Sequence, residues 1–198
     1  LLFNGIAPQT AGLGCDCAGH VTAVGPDVTG LAVGDPVIAL ADLAIADSVT
    51  VPADSVAPAP CLDLFDAATM PVPYLTALAG LGKIGTGDCV LVHQAASATG
   101  QAALAVIRRA GAKAVVTASA KRHPWFASAG IATVLDSRNP ASWAGKLAGV
   151  TVAFGTFDDA ALAQLAGIRI VNLSKLAATH FDLDHVPVVG RLTPHAVA

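Results

Sequence analysis

The chain has 198 residues, of which 54% are hydrophobic and 13% are charged, and its formal net charge is −3. This length is enough for one or two domains with a sizeable buried core. The sequence has no basic stripe with interleaved aromatic residues, which argues against nucleic-acid binding. Gly, Pro, Asp or Lys interrupts each apolar run before about 20 residues, so we expect no membrane-spanning helix and no secretory leader.

The first 60 residues predict short strands separated by turns. Small residues alternate over 15–25, which favours a strand, and a turn-rich loop follows over 25–30. A turn leads into another predicted strand at 37–39, and a further strand is predicted over 48–52. This region is therefore predicted to be a small β-rich barrel or sandwich.

A helical segment is predicted over 65–81, starting near Asp63 and interrupted by Pro71 and Pro73. From Gly82 onward strands and helices alternate, which predicts an α/β fold with a doubly wound parallel sheet. The predicted strands are 90–93, 114–118, 133–135, 150–154, 168–172 and 186–189, and the predicted helices are 99–110, 122–129 and 158–166. We therefore expect a β-rich region with its linking helix at 1–80, a nucleotide-binding domain at 81–175 and a closing segment at 176–198.

The most informative segment runs from Cys89 to Ala103, where an apolar run stops at small residues and a helical run begins at once. Small side chains let phosphate groups approach closely, and a helix start offers free N–H groups and a positive dipole end. Only Gly100 remains of the three glycines usual in dinucleotide-binding turns, so an ordinary strand-to-helix turn is the alternative. The candidate pyrophosphate-binding residues are Ala96, Ser97, Ala98, Thr99 and Gly100.

Ser119, Lys121 and Arg122 directly follow the predicted strand 114–118. In a βαβ unit the end of this strand meets the adenosine ribose, where an acid would bind the hydroxyls of NAD and bases would accommodate the 2′-phosphate of NADP. No Asp or Glu lies between positions 113 and 135, so the predicted cofactor is NADPH. Alternatively, the two basic residues only open the next helix on its solvated face.

Other candidate groups have simpler interpretations. The four cysteines show no CxxC spacing, and Cys15 and Cys17 with His20 fit a small-residue strand better than a zinc fragment. We therefore expect no metal site. His93 follows the first strand of the α/β part, where packing is favoured over a cofactor contact. The sequence has no Gly-x-Ser-x-Gly elbow, which argues against a serine hydrolase.

Several motifs together resemble one family. Segments 14–25 and 33–37 are similar to the amino-terminal signature of medium-chain dehydrogenases and reductases, in which a GroES-like β-rich region leads into a Rossmann domain. Segments 67–77, 85–93 and 117–122 resemble the enoyl reductase domains of type I polyketide and fatty acid synthases. Asp136-Ser137-Arg138 stands where those domains carry a similar tripeptide.

The resemblance implies that hydride from NADPH adds to the β-carbon of an α,β-unsaturated acyl thioester and that the α-carbon is then protonated. It places Thr76 near the nicotinamide and gives Lys121 either a 2′-phosphate or a proton-donor role. Gly155 and Lys175 follow later strands and are expected at the same crevice. The implied partners are a carrier-protein-bound thioester and neighbouring synthase domains in the cytoplasm, with a homodimer as one possible assembly.

The chain also departs from the family pattern. Ser97-Ala98-Thr99-Gly100 replaces the usual Gly-Gly-Val-Gly, and Gly14-Cys15-Asp16 replaces the Gly-His-Glu of zinc-dependent relatives. The single tyrosine, Tyr74, lies in a different motif from the tyrosine proton donor of some relatives, and Asn139 stands where an aspartate donor has been considered. A stand-alone quinone oxidoreductase, a non-catalytic domain of a multienzyme and a piece of a longer enzyme therefore remain alternatives.

Overall fold

A computed structural model describes residues 14–59 and 62–173, and the chain divides between Val72 and Pro73 into two compact units. The first unit contains a three-stranded antiparallel sheet in the order β1-β2-β3. Its buried core is formed by Ile38, Ala57, Ala59 and Ala67. The strands of this sheet are β1 (Asp16–His20), β2 (Pro36–Leu40) and β3 (Val56–Pro58).

The predicted strand over 48–52 is wrong, and the predicted strand over 15–25 is confirmed only for β1. The place beside β2 is taken by β3, which buries Ala57 to 3% exposure. Segment 48–52 has no ladder partner among the residues that the structure describes, is mostly exposed, and ends at Pro52, which has no N–H to donate. Burial therefore selects the strand, although the alternating valines of 48–52 look more strand-like.

The predicted helical segment consists of two helices, α1 (Leu64–Ala67) and α2 (Pro71–Leu81). The carboxylate of Asp63 accepts a hydrogen bond from the N–H of Phe65 at 2.9 Å, which confirms the predicted start. Pro71 and Pro73 lie in the first turn of α2, where a missing N–H costs no helical hydrogen bond. Here the prolines therefore begin a new helix.

The second unit contains a five-stranded parallel sheet in the order β6-β5-β4-β7-β8, which is the usual Rossmann order 3-2-1-4-5. This arrangement confirms the predicted α/β fold class. The strands are β4 (Cys89–Val92), β5 (Lys113–Ala118), β6 (Val134–Asp136), β7 (Val152–Gly155) and β8 (Arg169–Asn172). The helices are α3 (Ala98–Arg109), α4 (His123–Ser128) and α5 (Asp159–Leu162).

The predicted helix 158–166 is shorter than expected, because α5 ends at Leu162 and the chain turns before Gly167, whose φ is +78°. The side chain of Asp158 caps α5 by accepting from the N–H of Ala161 at 2.8 Å. The predicted sixth strand at 186–189 lies outside the described residues.

Both faces of the parallel sheet are covered. Val90, Val92 and Phe154 pack with residues of α2 and α3 on one face, while Leu91 and Trp143 belong to the cluster on the other. Burial on both faces explains why the central strands are almost purely apolar. No helix within the described residues has the length and apolar character needed to cross a membrane.

Asp88 and Thr151 connect strands at the amino end of the sheet. The Asp88 carboxylate accepts from the Gly85 N–H and from the Thr151 hydroxyl, each at 2.9 Å, and these bonds hold the pKa of Asp88 below its ordinary value. Thr151 Oγ1 also accepts from the Cys89 N–H at 3.2 Å. This end of the sheet is therefore fixed by side chains, and the opposite end carries the candidate site.

Candidate functional site

The turn between β4 and α3, residues 93–97, lies at the carboxyl end of the central strand. The N–H of His93 still donates to the carbonyl of Phe154 on β7, at 2.8 Å. Gln94 then takes a left-handed conformation with φ +53°, and the chain folds back so that the Ser97 N–H donates to the Gln94 carbonyl at 2.9 Å. Ala96, Ser97 and Ala98 are exposed, so small residues face solvent where a phosphate group would approach.

Gly100 is the point of closest contact between α3 and this turn. A Cβ atom on Gly100 would lie 2.7 Å from both the Cα and the carbonyl oxygen of Ala95, which are backbone atoms with little freedom to move. This is the role of the third glycine in a dinucleotide-binding fingerprint, which permits close packing of helix and strand. The surviving glycine therefore occupies the position with the strictest steric requirement.

The start of α3 is partly capped by the chain itself. Ser97 Oγ accepts from the Gly100 N–H at 3.1 Å, and the side-chain amide of Gln101 donates to the Ala95 carbonyl at 2.6 Å. The N–H groups of Ala98 and Thr99 have no acceptor within the described part of the chain. These two donors, with the positive end of the helix dipole, can bind an anion.

Thr117 on β5 contacts three consecutive residues of the turn. Its hydroxyl accepts from the Gln94 N–H at 2.9 Å, and its carbonyl accepts from the Ala95 N–H at 2.9 Å. Its Oγ1 also lies 2.7 Å from Nδ1 of His93. From sequence, Thr117 is identified only as a strand residue, and the one signal for this role is a hydroxyl near the end of an otherwise apolar strand.

His93 is a packed residue, as favoured from the sequence. Its ring stacks on Phe157, with ring centroids 5.1 Å apart, and meets the edge of Trp143 at 5.3 Å. Burial lowers the pKa of His93, while the carboxylate of Asp158 acts in the opposite direction. Gly155 lies against it, since a Cβ on Gly155 would be 2.7 Å from the His93 Cβ.

The basic cluster lies at the carboxyl end of β5. Ser119 precedes a short 3-10 helix, Ala120–Arg122, and its carbonyl accepts from the Arg122 N–H at 2.8 Å. The side chains of Lys121 and Arg122 are exposed, and neither has an ion-pair partner among the described residues. Both cations are therefore available for a phosphate group.

A carboxylate that the linear sequence does not place here lies on the neighbouring strand. Asp136 of β6 is in register with Ala118, and its carboxylate accepts from the Arg138 N–H at 2.9 Å. The Ser137 N–H donates to the Ala118 carbonyl at 3.0 Å, which fixes the 136–138 segment beside the end of β5. Lys121, Arg122 and Arg138 thus outnumber Asp136, the one carboxylate at the ends of β5 and β6, and this part of the edge is positively charged.

The parallel strands bring the turn, the basic cluster and Gly155 to the same edge of the sheet. Thr76 lies in α2, one helical turn before Gly80 and on the same face of the helix. This face packs on the sheet, since a Cβ on Gly80 would be 2.8 Å from the Phe154 ring of β7. Lys175 lies outside the described residues. The binding and catalytic roles of all these residues stay predictions.

No group of three or more His, Cys, Asp or Glu side chains within the described ranges could hold a metal ion. At the position of the family's zinc-ligand motif, the carboxylate of Asp16 accepts from the N–H of Val72 in the first turn of α2. Burial and the Asp16 charge raise the pKa of the Cys17 thiol, whose Sγ lies 3.5 Å from the Ala39 carbonyl. These side chains are thus engaged in local structure.

Comparisons with known proteins agree with this architecture. The alcohol dehydrogenase GroES-like domain family model matches residues 2–61. Over 135 residues the chain is 40% identical to erythronolide synthase EryA2 of Saccharopolyspora erythraea, an alignment that covers 66% of this chain and 4% of that protein. The CurK enoyl reductase has a TM-score of 0.72 at 32% identity, with 82% of this chain and 53% of that chain covered.

Escherichia coli quinone oxidoreductase, solved in complex with NADPH, has a TM-score of 0.71 at 26% identity, with 85% of this chain and 56% of that chain covered. The chain therefore spans about half the length of these two solved structures and a small part of the synthase. The GroES-like match, the Rossmann strand order and the synthase similarity agree with one another. The chain belongs to the medium-chain dehydrogenase/reductase superfamily and is an enoyl-reductase-like domain.

Proposed function

We propose that the chain binds NADPH and reduces an α,β-unsaturated acyl thioester as part of a polyketide synthase. The observation that carries this proposal is the exposed β4–α3 turn with an unpaired basic cluster beside it at the same sheet edge. The similarity to a synthase and to the CurK enoyl reductase supports the reaction class, and an NADPH complex of a structural neighbour supports the cofactor.

The residues present fit a dinucleotide. At the turn, Gly100 allows α3 to approach the backbone closely, and the N–H groups of Ala98 and Thr99 are open to the pyrophosphate. By the strand order, the end of β5 would face the adenosine half and the end of β7 the nicotinamide half. Ala96 to Gly100 would therefore hold the pyrophosphate, and Gly155 would lie toward the nicotinamide.

Ser119, Lys121 and Arg122 would bind the 2′-phosphate, because two exposed cations and a hydroxyl meet at the adenosine side. Asp136 would repel this phosphate, but Arg138 follows two residues later and keeps the local charge positive. The binding preference for NADPH over NADH thus depends on the basic residues outweighing one nearby carboxylate.

When bound, NADPH supplies the hydride for the β-carbon of the alkene. The chain's part would be to hold the dinucleotide, with Gly155 next to the buried His93 at the nicotinamide end, and the proton for the α-carbon would come from solvent water. Thr76 is proposed near the nicotinamide. Because Lys121 lies at the adenosine side, we assign it to the 2′-phosphate in preference to proton donation.

The proposed partners follow from the synthase similarity. The substrate would be an acyl thioester on a carrier protein, delivered within a cytoplasmic multienzyme whose other domains contact this one, and a homodimer is the assembly to test. A stand-alone quinone oxidoreductase is the alternative enzyme, because a quinone oxidoreductase shares the fold at 26% identity. Quinone and crotonyl-thioester substrates compared side by side distinguish the two.

A non-catalytic role has one specific observation in its favour: Ser97 Oγ already occupies the Gly100 N–H, where the family has glycine. This hydroxyl removes one donor from the anion site and adds bulk where a phosphate would approach. A domain that kept the fold but lost tight cofactor binding would have a turn of this kind.

The test is a titration of the 198-residue chain with NADPH and with NADH, followed by cofactor fluorescence, and then assay of crotonyl-thioester reduction by loss of absorbance from the reduced cofactor. We expect NADPH to bind at least ~10-fold more tightly than NADH, with the preference lost in a Lys121→Ala/Arg122→Ala double variant, since charge-assisted phosphate contacts each contribute about 1.5–3 kcal/mol. Absence of binding at millimolar NADPH would refute the proposal and favour the non-catalytic role.

A further inference from the structure

We propose that Thr117 is a positioning residue that fixes the shape of the β4–α3 turn and thereby sets the affinity for the dinucleotide. This inference rests on the proposed function, because it concerns the same turn. Thr117 lies on β5, is fully buried, and is bonded to the turn by both its side chain and its backbone. It touches no atom of the proposed cofactor site itself, so it would act through the turn.

The turn needs such a support because its left-handed position is occupied by a residue with a side chain. Gln94 holds a left-handed φ of +53°, a conformation that a residue with a side chain keeps only when its surroundings fix it. The N–H of Gln94 donates to Thr117 Oγ1 and the next N–H, of Ala95, donates to the Thr117 carbonyl, each at 2.9 Å. These two bonds fix the peptide groups on both sides of the strained residue.

The hydroxyl of Thr117 also determines which ring nitrogen of His93 carries the proton. Because Oγ1 accepts from the Gln94 N–H, its own O–H needs an acceptor, and Nδ1 of His93 at 2.7 Å is the acceptor within the described residues. This assigns the neutral Nε2–H tautomer to His93. The stacked ring of Phe157 then holds the imidazole in place, so one hydroxyl orders both the backbone and the side chain that follow β4.

Valine has nearly the shape of threonine but no hydroxyl. In Thr117→Val the Gln94 N–H and the His93 Nδ1 would both lose their partner in a buried place, which is costly. The turn would relax to avoid this, and the N–H groups of Ala98 and Thr99 would no longer converge on one phosphate position. Thr117→Ser keeps the hydroxyl and removes only a methyl group.

Thr151 offers a control, because its hydroxyl bonds to the amino end of β4, opposite the end that Thr117 supports. Its hydroxyl also joins two groups, accepting from the Cys89 N–H and donating to the Asp88 carboxylate. Thr151→Val therefore removes two hydrogen bonds from the amino end of β4, at an exposed place, without touching the turn. If Thr117 stabilised only the fold, each valine variant would have a lower thermal midpoint and neither would bind NADPH more weakly.

The experiment measures the NADPH dissociation constant and the thermal midpoint of the full chain and of T117V, T117S and T151V. We expect T117V to bind NADPH at least ~10-fold more weakly, T117S within ~3-fold of the native chain, and T151V within ~2-fold, although both valine variants melt earlier. Native-like binding by T117V, or an equal loss of binding in T151V, overturns the proposal.

Amide hydrogen exchange separates this inference from the proposed function, because it needs no cofactor. We expect the amides of Gln94 and Ala95 to be protected in the native chain like those of β4, and the Gln94 amide to exchange at least ~10-fold faster in T117V but not in T151V. If the native chain fails to bind NADPH, the proposed function fails together with the claim about affinity, and exchange still decides whether Thr117 fixes the turn. If T117V does not fold, exchange of the native Gln94 amide at the rate of an exposed turn overturns it.

Discussion

Nδ1 of His93 and Oγ1 of Thr117 lie 2.7 Å apart, although 24 residues separate them in the sequence. The His93 ring is 7% exposed, and its burial lowers the pKa of His93 from the ordinary value of 6.5, while the Asp158 carboxylate opposes this shift. A proton on Nδ1 would also leave the Thr117 O–H without its acceptor. Both effects favour a neutral His93 in the folded chain.

We expect the stability of the second unit to decrease as the pH falls below about 6.5. In that range the unfolded chain protonates His93 while the folded chain does not, so the unfolded state binds more protons and gains stability as the pH falls. The contribution of neutral His93 to the free energy of unfolding is complete above its unfolded-state pKa. It is lost as the pH falls toward the lower folded-state pKa, by at most about 1.4 kcal/mol per pH unit.

Urea unfolding between pH 5 and 8 measures this effect, followed by tryptophan fluorescence because both tryptophans, Trp125 and Trp143, lie in the second unit. His93→Asn is the control, since its side-chain oxygen can accept from Thr117 but does not titrate. Other titrating groups contribute equally to both proteins and cancel in the difference. Parallel pH profiles for the two proteins would contradict the expectation.

A second prediction concerns the contact between Gly100 and Ala95. A Cβ on Gly100 would lie 2.7 Å from backbone atoms of Ala95, so Gly100→Ala must displace either α3 or the turn. We expect a loss of about 1–3 kcal/mol in unfolding free energy, typical of overpacking, despite the better helix propensity of alanine. Urea unfolding measures the loss, and NADPH titration is expected to show weaker binding.

Gly87→Ala is the matched control, because a Cβ there would meet nothing within 4 Å. We expect its unfolding free energy to stay within about 0.5 kcal/mol of the native value. Equal effects of the two substitutions would show that the close approach of Gly100 to Ala95 is not what constrains this position.

A third prediction follows from the left-handed conformation of Gln94. Its φ of +53° is unfavourable for a residue with a Cβ, and its side chain is exposed. Gln94→Gly relieves this strain but increases the entropy of the unfolded chain, so we expect a net gain of up to about 1 kcal/mol in unfolding free energy. Gln94→Val is expected to lose stability, because a β-branched residue adopts this conformation least readily; the opposite order in urea unfolding would contradict the argument.

The fold was largely predictable because its signals are local. The apolar run of β4, the small residues after it and the helical run of α3 are contiguous, and parallel topology then places the strand ends together. The contacts of Thr117 were not predictable, and the position of Asp136 beside β5 was not predicted although it follows the predicted strand 133–135. Both depend on the register of neighbouring strands, and a threonine or an aspartate at a strand end has many unrelated uses.

In the β-rich unit, too, the sequence did not predict which segment forms a strand. The segment 48–52 has better strand-forming residues than β3, but β3 forms the strand because Ala57 packs into the core with Ile38 and Ala67. Tertiary burial outweighed local propensity there. At the candidate site the reverse holds, since the helix cap by Ser97 is a local interaction and its residue type alone indicates it.

The last prediction concerns the Ser97 cap, and it distinguishes a site that binds NADPH tightly from one that has lost tight binding. Ser97 Oγ accepts from the Gly100 N–H, so this donor is not free for a phosphate oxygen. Glycine at a cap position costs only a few tenths of a kcal/mol, while alanine costs about 1 kcal/mol. Ser97→Gly would therefore free the donor and remove the Cβ at the turn with little loss of stability.

We expect Ser97→Gly to bind NADPH ~3- to 10-fold more tightly than the native chain, which corresponds to the about 0.5–1.5 kcal/mol of one added ordinary hydrogen bond. Ser97→Ala also frees the Gly100 N–H but keeps a Cβ in the path of the phosphate, so its gain is expected to be smaller and its thermal midpoint lower. Fluorescence titration of the three proteins with NADPH measures the order of affinities. Weaker binding by Ser97→Gly would contradict this expectation. It would mean that the Ser97 hydroxyl turns toward the phosphate and donates a hydrogen bond to it, so that the turn is still suited to cofactor binding.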